Sequence, residues 1–165
     1  MANGGIIGPT NLTSFGKNTI TKKTSTGCVS LQSGTNFIDV AVIAGGGGGK
    51  SGGGGGGGLR QFTNLPASGS VPATIGAGGA AGAAGADSSL VAGGTTYTSN
   101  GGGVGGTRCG VGGDGGSGGG GGACGPNPGK GTNADSGGDG NSPPTDPSQG
   151  NDGGNTPSTF FQAAG

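Results

Sequence analysis

Bulky apolar residues are concentrated in the first 44 positions of the chain, where they alternate with threonine, serine and lysine. Residues 19–23 are rich in threonine and β-branched side chains, and residues 27–32 place Val29 and Leu31 in alternation with polar residues; both patterns fit the pleated surface of a sheet. Residues 33–36 are a cluster of turn-forming types. The pattern therefore predicts two short strands followed by a turn.

Residues 37–44 are the most apolar run of the chain and give the clearest strand prediction. Ile38, Val40 and Val42 share one face because side chains alternate along a strand. The opposite face is also largely apolar and is interrupted by Asp39. A strand with two apolar faces is typically buried on both sides. We therefore expect Ile38, Val40 and Val42 to serve in assembly, on a strand that pairs with a partner chain.

From residue 45 onward glycine dominates, and the sequence predicts no packed core. The chain has 51 glycines among its 165 residues and lacks Trp and His, whereas average proteins contain about 7% glycine. Folding costs roughly 1–2 kcal/mol of backbone entropy per residue, and glycine loses the most freedom. Burial of apolar side chains alone cannot offset that cost here.

Glycine recurs at every third position between residues 76 and 85, and again between 110 and 125. A polyproline II helix has three residues per turn, rises about 3.1 Å per residue and makes no internal hydrogen bonds. The spacing therefore gives each such helix a bare edge, where neighbouring backbones can bond laterally at about 0.5–1.5 kcal/mol net per bond. Flexible disorder is the alternative, since Gly/Ser tracts commonly behave as linkers.

These patterns divide the chain into three predicted regions. Residues 1–44 form a small all-β N-terminal module for attachment and oligomerisation. Residues 45–140 pack as polyproline II (polyglycine) helices, with little or no α-helix in the chain. Residues 141–165 are a loop tail rich in Pro, Asn and Asp. We expect the late aromatic pair Phe160 and Phe161 to dock against the same chain or a neighbouring one.

Residues 44–51 have the spacing of a phosphate-binding loop in which alanine replaces the first glycine. Such a loop needs a helix that begins at its Lys-Ser pair. Lys50 and Ser51 are instead followed by seven glycines, each of which disfavours a helix by about 1 kcal/mol. Without histidine, a Ser–His or Cys–His relay is also excluded. We predict no enzyme, no cofactor and no metal site.

The charge pattern and the lack of long apolar stretches indicate which partners and locations to exclude. Seven basic and seven acidic residues balance, and no basic cluster indicates nucleic-acid binding. We find no signal-peptide pattern and no apolar stretch of about 20 residues, so we expect neither signal-dependent secretion nor membrane insertion.

Cys28, Cys109 and Cys124 lack CxxC spacing. Three reduced thiols are the simpler interpretation, and a Cys109–Cys124 disulfide is the alternative.

One stretch of sequence resembles the glycine-rich domain of bacteriophage tail fibre and minor tail proteins. The strand that runs directly into glycines reads FIDVAVIAGGGGG, and it is followed by GGGGLRQFTNLPASGSVPATIGAGGAAG. The likeness covers about residues 37–125, and the opening MANGGIIGP is similar to the head of many marine-phage structural proteins. The resemblance implies a virion fibre component, often trimeric, whose N-terminal part attaches to the particle.

We therefore expect a non-enzymatic structural protein of a phage virion, made in the host cytoplasm. Its expected form is a homotrimeric tail-fibre or appendage component that contacts other virion proteins through residues 1–44 and attaches to the host cell surface. The alternatives are a capsid decoration or head-fibre protein, an ice-binding polyproline II bundle, and a self-assembling extracellular filament. No catalytic or binding residue follows from the resemblance.

Overall fold

A computed structural model describes residues 19–123 and 136–156. Within these ranges the chain has short β-strands and no helix, which confirms the expected all-β class for the part described. None of the described residues forms a helix that is long and apolar enough to cross a membrane. The strands are β1 (Gly27–Ser30), β2 (Phe37–Ile43), β3 (Leu59–Pro66), β4 (Ser70–Thr74), β5 (Ser88–Ala92) and β6 (Thr95–Ser99).

Two of the three strands expected before residue 45 are present. β1 begins at the predicted position and ends two residues early, and β2 coincides with the apolar run. The strand expected at residues 19–23 is wrong, because this segment has no strand assignment. Its one bulky apolar side chain, Ile20, is 95% exposed, so no packing holds the segment against a sheet.

The strands form two antiparallel sheets. A four-stranded sheet has the order β1-β4-β5-β6, and a two-stranded sheet pairs β2 with β3. Gly93 and Gly94 join β5 to β6 with positive φ angles of 55° and 79°, which a tight two-residue hairpin turn requires. Both strands that precede residue 45 therefore pair with later strands, and not with each other.

Asp39 interrupts the apolar pattern of β2 because it lies at an irregularity in the pairing. The register between β2 and β3 shifts between Ile38 and Val40. At this point the backbone N–H of Asn64, which has a positive φ of 56°, donates to Asp39 Oδ1 at 2.7 Å. A bulge leaves a backbone group unpaired, and here the aspartate side chain supplies the missing acceptor.

A small core lies between the two sheets, and most of its residues follow position 45, where the composition predicted no core. Val42 is buried, and Ile38 and Val40 pack against the same cluster, so the face predicted for assembly contacts the chain's own core. The opposite face of β2 is the open one, with Phe37 59% and Ile43 63% exposed. The buried residues of the cluster are Val42, Leu65, Ala67, Val71, Ala73, Leu90 and Ala92.

One side of the core is closed by a cation and two aromatic rings. The Arg60 guanidinium lies 4.8 Å from the centre of the Phe62 ring, and its Nη1 donates to the carbonyl of Thr98 at 3.0 Å. Phe62 and Tyr97 are themselves 4.8 Å apart, centre to centre. These contacts tie β3 to β6 and so join the two sheets.

The sheets meet the glycine-rich sequence at one end. Ile43 pairs with Leu59, and Ser88 pairs with Ser99, so the chain leaves or enters both sheets beside these pairs. Beyond them, Leu59 N–H donates to the carbonyl of Gln149 at 2.8 Å. The strand ends therefore fix the starting positions of the glycine-rich segments.

Replacement of Leu90 by alanine tests whether the small core stabilises the whole fold. Leu90 is 7% exposed, and the cavity left by a buried Leu→Ala change typically lowers the free energy of unfolding by about 2–5 kcal/mol. Leu59→Ala is the matched control, because Leu59 is 46% exposed and a surface change costs within about 0.5 kcal/mol. Urea unfolding followed by circular dichroism measures both, and equal losses would contradict the placement of the core.

Candidate functional site

The glycine-rich segments lie side by side and are joined by backbone hydrogen bonds. We call residues 44–58, 76–87, 100–123 and 136–156 the glycine network. These residues have no strand or helix assignment, yet their N–H groups donate to carbonyl oxygens of other segments at 2.7–3.1 Å. Backbone bonding therefore replaces side-chain packing as the contact between segments.

Residues 100–106 are the central segment of the network, and their bonds recur every three residues. Two of its N–H groups donate to carbonyls of residues 44–50, and two others donate to carbonyls of residues 117–123. In each pair of bonds, the second donor and the second acceptor both lie three residues after the first. The pairs are Gly102 to Gly45, Gly105 to Gly48, Gly103 to Ser117 and Gly106 to Gly120, at 2.9–3.0 Å. These neighbours run parallel to the central segment.

The central segment also accepts bonds from segments that run in the opposite direction. Its carbonyls take N–H groups from residues 52–58 on one side and from residues 110–116 on another. The pairs are Gly58 to Asn100, Gly55 to Gly103, Gly52 to Gly106, Gly116 to Gly101 and Gly113 to Val104, at 2.8–2.9 Å. Gly85 N–H adds a bond to Gly102. Within the described residues, the central segment thus bonds to five stretches of the chain, namely residues 44–50, 52–58, 76–87, 110–116 and 117–123.

The burial of residues 52–58 has the same three-residue period. Gly52, Gly55 and Gly58 are buried, whereas Gly53 and Gly56 are exposed. A methyl group on Gly55 would overlap the carbonyl oxygen of Ser117, but one on Gly53 or Gly56 would meet nothing within 4 Å. The three inward positions therefore exclude a side chain, whereas the exposed positions differ: Gly53 and Gly56 leave room for one, and at Gly54 a methyl group would overlap the carbonyl oxygen of Gly47.

Side chains of Asp and Asn complete the network where backbone partners end. Asp114 Oδ1 accepts the N–H of Asp139, and Asp152 Oδ1 accepts the N–H of Gly140, both at 2.8 Å. Asp87 Oδ1 accepts the N–H of Gly101 at 2.8 Å. Across residues 19–123 and 136–156, no group of three or more His, Cys, Asp or Glu could hold a metal ion.

Gln149 connects residues 141–150 to the central segment through side-chain hydrogen bonds. Its side chain is 3% exposed, and its Oε1 accepts the Asn100 N–H at 2.9 Å. Its Nε2 donates to Asn100 Oδ1 and to the carbonyl of Pro143, both at 3.1 Å. Sequence reasoning missed this residue, since nothing in a Pro- and Ser-rich stretch distinguishes one buried amide from exposed ones.

The residues that have the spacing of a phosphate-binding loop are part of the network. The N–H groups of Lys50, Ser51 and Gly52 donate to carbonyl oxygens of Gly52 and Gly106 at 2.9–3.0 Å. A phosphate would need these amides free at the start of a helix, and residues 53–58 are not helical. The geometry at this position therefore serves the backbone network.

The predicted assembly residues are placed only in part. Ile38, Val40 and Val42 face the core, as described above, while Phe160 and Phe161 lie outside the described residues. A role of these five residues in assembly stays a prediction. Leu59, opposite Ile43 on β3, is 46% exposed, so the open face of the two-stranded sheet presents apolar side chains to solvent.

The cysteines differ from one another. Cys28 is an exposed free thiol, whereas Cys109 is disulfide-bonded. The interpretation that all three thiols are reduced is therefore wrong for Cys109. Cys124 lies outside the described residues.

A cavity of about 450 Å³ opens at the end of the sheets away from the glycine network. Turns between strands form its wall, where Ala67 N–H donates to the carbonyl of Asn36. Its lining is uncharged and mixes prolines with small polar residues, including Pro66, Ser68, Ser70, Pro72 and Gly94. The volume lies in the range of small-molecule sites, but no buried polar side chain is directed into it.

Comparison with known proteins agrees with the composition of the network. A family model described as a glycine-rich domain matches residues 21–165. The chain therefore belongs to this glycine-rich domain family. No curated protein and no solved structure gives a significant match.

Two adjacent glycines provide a sharp test of the network. Gly55→Ala forces a methyl group against the carbonyl oxygen of Ser117, and overpacking of this kind costs about 1–3 kcal/mol of unfolding free energy. Gly56→Ala enters open space, so we expect no loss, or a gain of up to about 1 kcal/mol from reduced freedom of the unfolded chain.

Urea titrations of the two variants and the unchanged protein measure the difference. Both substitutions add one methyl group to the same segment, so they change composition and helix propensity equally. Similar unfolding midpoints for the two variants would contradict the inward orientation of Gly55.

Proposed function

We propose that the segments of the glycine network are polyproline II helices packed side by side. The support is the three-residue recurrence of donors, acceptors and buried glycines, which matches three residues per turn. The conformation has no internal hydrogen bonds, so lateral bonds are the partners that its buried amides need. A glycine edge lets backbones approach closely enough to form them.

Amide exchange and circular dichroism test this packing in the intact protein. We expect slow exchange at the donors of the central segment, such as Gly102 and Gly105, because their N–H groups are buried and bonded. We also expect a far-ultraviolet spectrum with a large polyproline II contribution beside that of β-structure. Exchange at the rate of a urea-unfolded control throughout residues 100–123 would refute ordered packing.

We propose that the protein is a non-enzymatic structural component of a phage virion, in a tail fibre or appendage that takes part in host attachment. The observation that carries this proposal is a shape-holding network of backbone bonds attached to the end of a small β-sheet pair. A module held together by backbone bonds does not need a large apolar core to be ordered. The resemblance of residues 37–125 to glycine-rich phage tail proteins supports a location in the tail of a phage particle.

The attachment surface that we propose is the open face of the two-stranded sheet together with the remainder of residues 1–44. Phe37 and Ile43 are large and more than half exposed there, and Leu59 lies beside them. Exposed apolar surface of this kind commonly marks contact with another protein. Other virion proteins, and further copies of this chain in a trimer, are the partners proposed for it.

Antibody labelling of virions tests the proposed location. Particles grown from the phage genome that encodes the chain would be treated with antibodies raised against the purified protein and imaged by electron microscopy. We expect label on tail fibres or appendages, and we expect antibody fragments to slow adsorption of the particles to host cells.

Two controls test whether the labelling and the slower adsorption are specific to this protein. Fragments from non-immune serum should leave adsorption unchanged, and particles lacking the gene should carry no label. Label confined to the capsid would replace the tail assignment with that of a decoration or head-fibre protein. Absence of the protein from purified virions by mass spectrometry would refute a virion role.

A further inference from the structure

The glycine network contains four dipeptides of a chemically labile kind, in which Asn or Asp precedes Gly. They are Asn100–Gly101, Asp114–Gly115, Asp139–Gly140 and Asp152–Gly153. In a flexible chain, the glycine nitrogen can attack the side-chain carbonyl carbon of the residue before it. Glycine favours this attack because it has no side chain to obstruct the approach.

The reaction proceeds through a five-membered succinimide. A bond forms between the glycine nitrogen and Cγ, the nitrogen loses its proton to solvent, and ammonia leaves from Asn or water leaves from Asp. Hydrolysis then adds water at either carbonyl carbon of the ring. One product is aspartate, and the other is isoaspartate, in which the backbone runs through the former side chain.

In this structure all four of the attacking nitrogens are engaged in hydrogen bonds. Two donate to carboxylates that lie elsewhere in the chain, and two donate to backbone carbonyls of neighbouring segments. The pairs are Gly101 to Asp87 Oδ1 at 2.8 Å, Gly140 to Asp152 Oδ1 at 2.8 Å, Gly115 to the carbonyl of Asp139 at 3.0 Å and Gly153 to that of Gly138 at 2.9 Å.

At Asn100 the electrophilic side chain is held as well. Its Oδ1 accepts from Gln149 Nε2 at 3.1 Å, and its Nδ2 donates to Asp87 Oδ2 at 3.2 Å. Asp87 thus binds both the amide side chain and the nitrogen that would attack it. Closure of the ring requires loss of bonds at both reacting groups, and the following Gly101 is buried.

We propose that the hydrogen bonds of the glycine network suppress isoaspartate formation at these four dipeptides, which become sites of spontaneous modification when the network opens. The inference does not depend on the proposed virion role. A protein that persists for long periods without replacement accumulates such lesions, so the same bonds that give the network its shape also preserve its covalent structure.

Prolonged incubation of the intact protein tests the proposal. Samples held at neutral pH with and without urea are digested, and isoaspartate at each dipeptide is quantified by mass spectrometry. We expect formation in the folded protein to be at least about tenfold slower at all four sites, since attack must await local opening. Equal rates in folded and urea-unfolded samples would overturn the proposal.

A pair of variants separates the effect of one bond from that of the fold. Asp152→Ala removes the acceptor of the Gly140 N–H, whereas Asp152→Asn retains an Oδ1 that can accept it. We expect isoaspartate at Asp139 to rise about threefold or more in the alanine variant alone, with Asn100 unchanged as an internal reference, because the Gly101 N–H is held by Asp87. An equal rise at Asn100, or the same rate at Asp139 in both variants, would refute protection by this bond.

Discussion

The structure depends on lateral hydrogen bonds between glycine backbones. Each bond requires that one segment approach another without a side chain between them, and a methyl group on Gly103 would already overlap the carbonyl oxygen of Gly113. The central segment satisfies this requirement toward several neighbours at once because its bonding directions repeat every three residues. A protein with little apolar surface is thus held together by groups that every residue possesses.

The small core and the glycine network depend on each other. Val42, Leu65 and Leu90 hold two sheets together, and the paired strand ends fix where each glycine segment begins. Poly-Gly segments carry no side chains that could choose one alignment over another, so the sheets supply the register. In return, bonds such as that from Gly58 to Asn100 extend the order of the strands beyond their ends. Neither part is independent of the other.

Sequence reasoning located β2 because it is the most apolar run of the chain, and β1 because its residue types favour a sheet. It could not predict that β2 pairs with β3, since Arg60 and Phe62 do not alternate as apolar and polar residues do. The three-residue period of glycine between residues 110 and 125 predicted helices with three residues per turn. Residues 52–58 are all glycine, so the sequence could not predict which of them lie inward. Gln149 was missed for the related reason that its burial depends on contacts distant in sequence.

Side chains retain a specific task in a network that the backbone dominates. Lateral bonding leaves amides without partners wherever a segment ends or a neighbour is absent, and an unpaired buried amide is costly. Asp87, Asp114 and Asp152 occupy such places, and each accepts a backbone N–H with a carboxylate oxygen. These three acidic residues therefore take the place of a neighbouring segment as acceptors for backbone N–H groups. Their value lies in reach and acceptor geometry, and an amide of similar shape meets the same need with less charge.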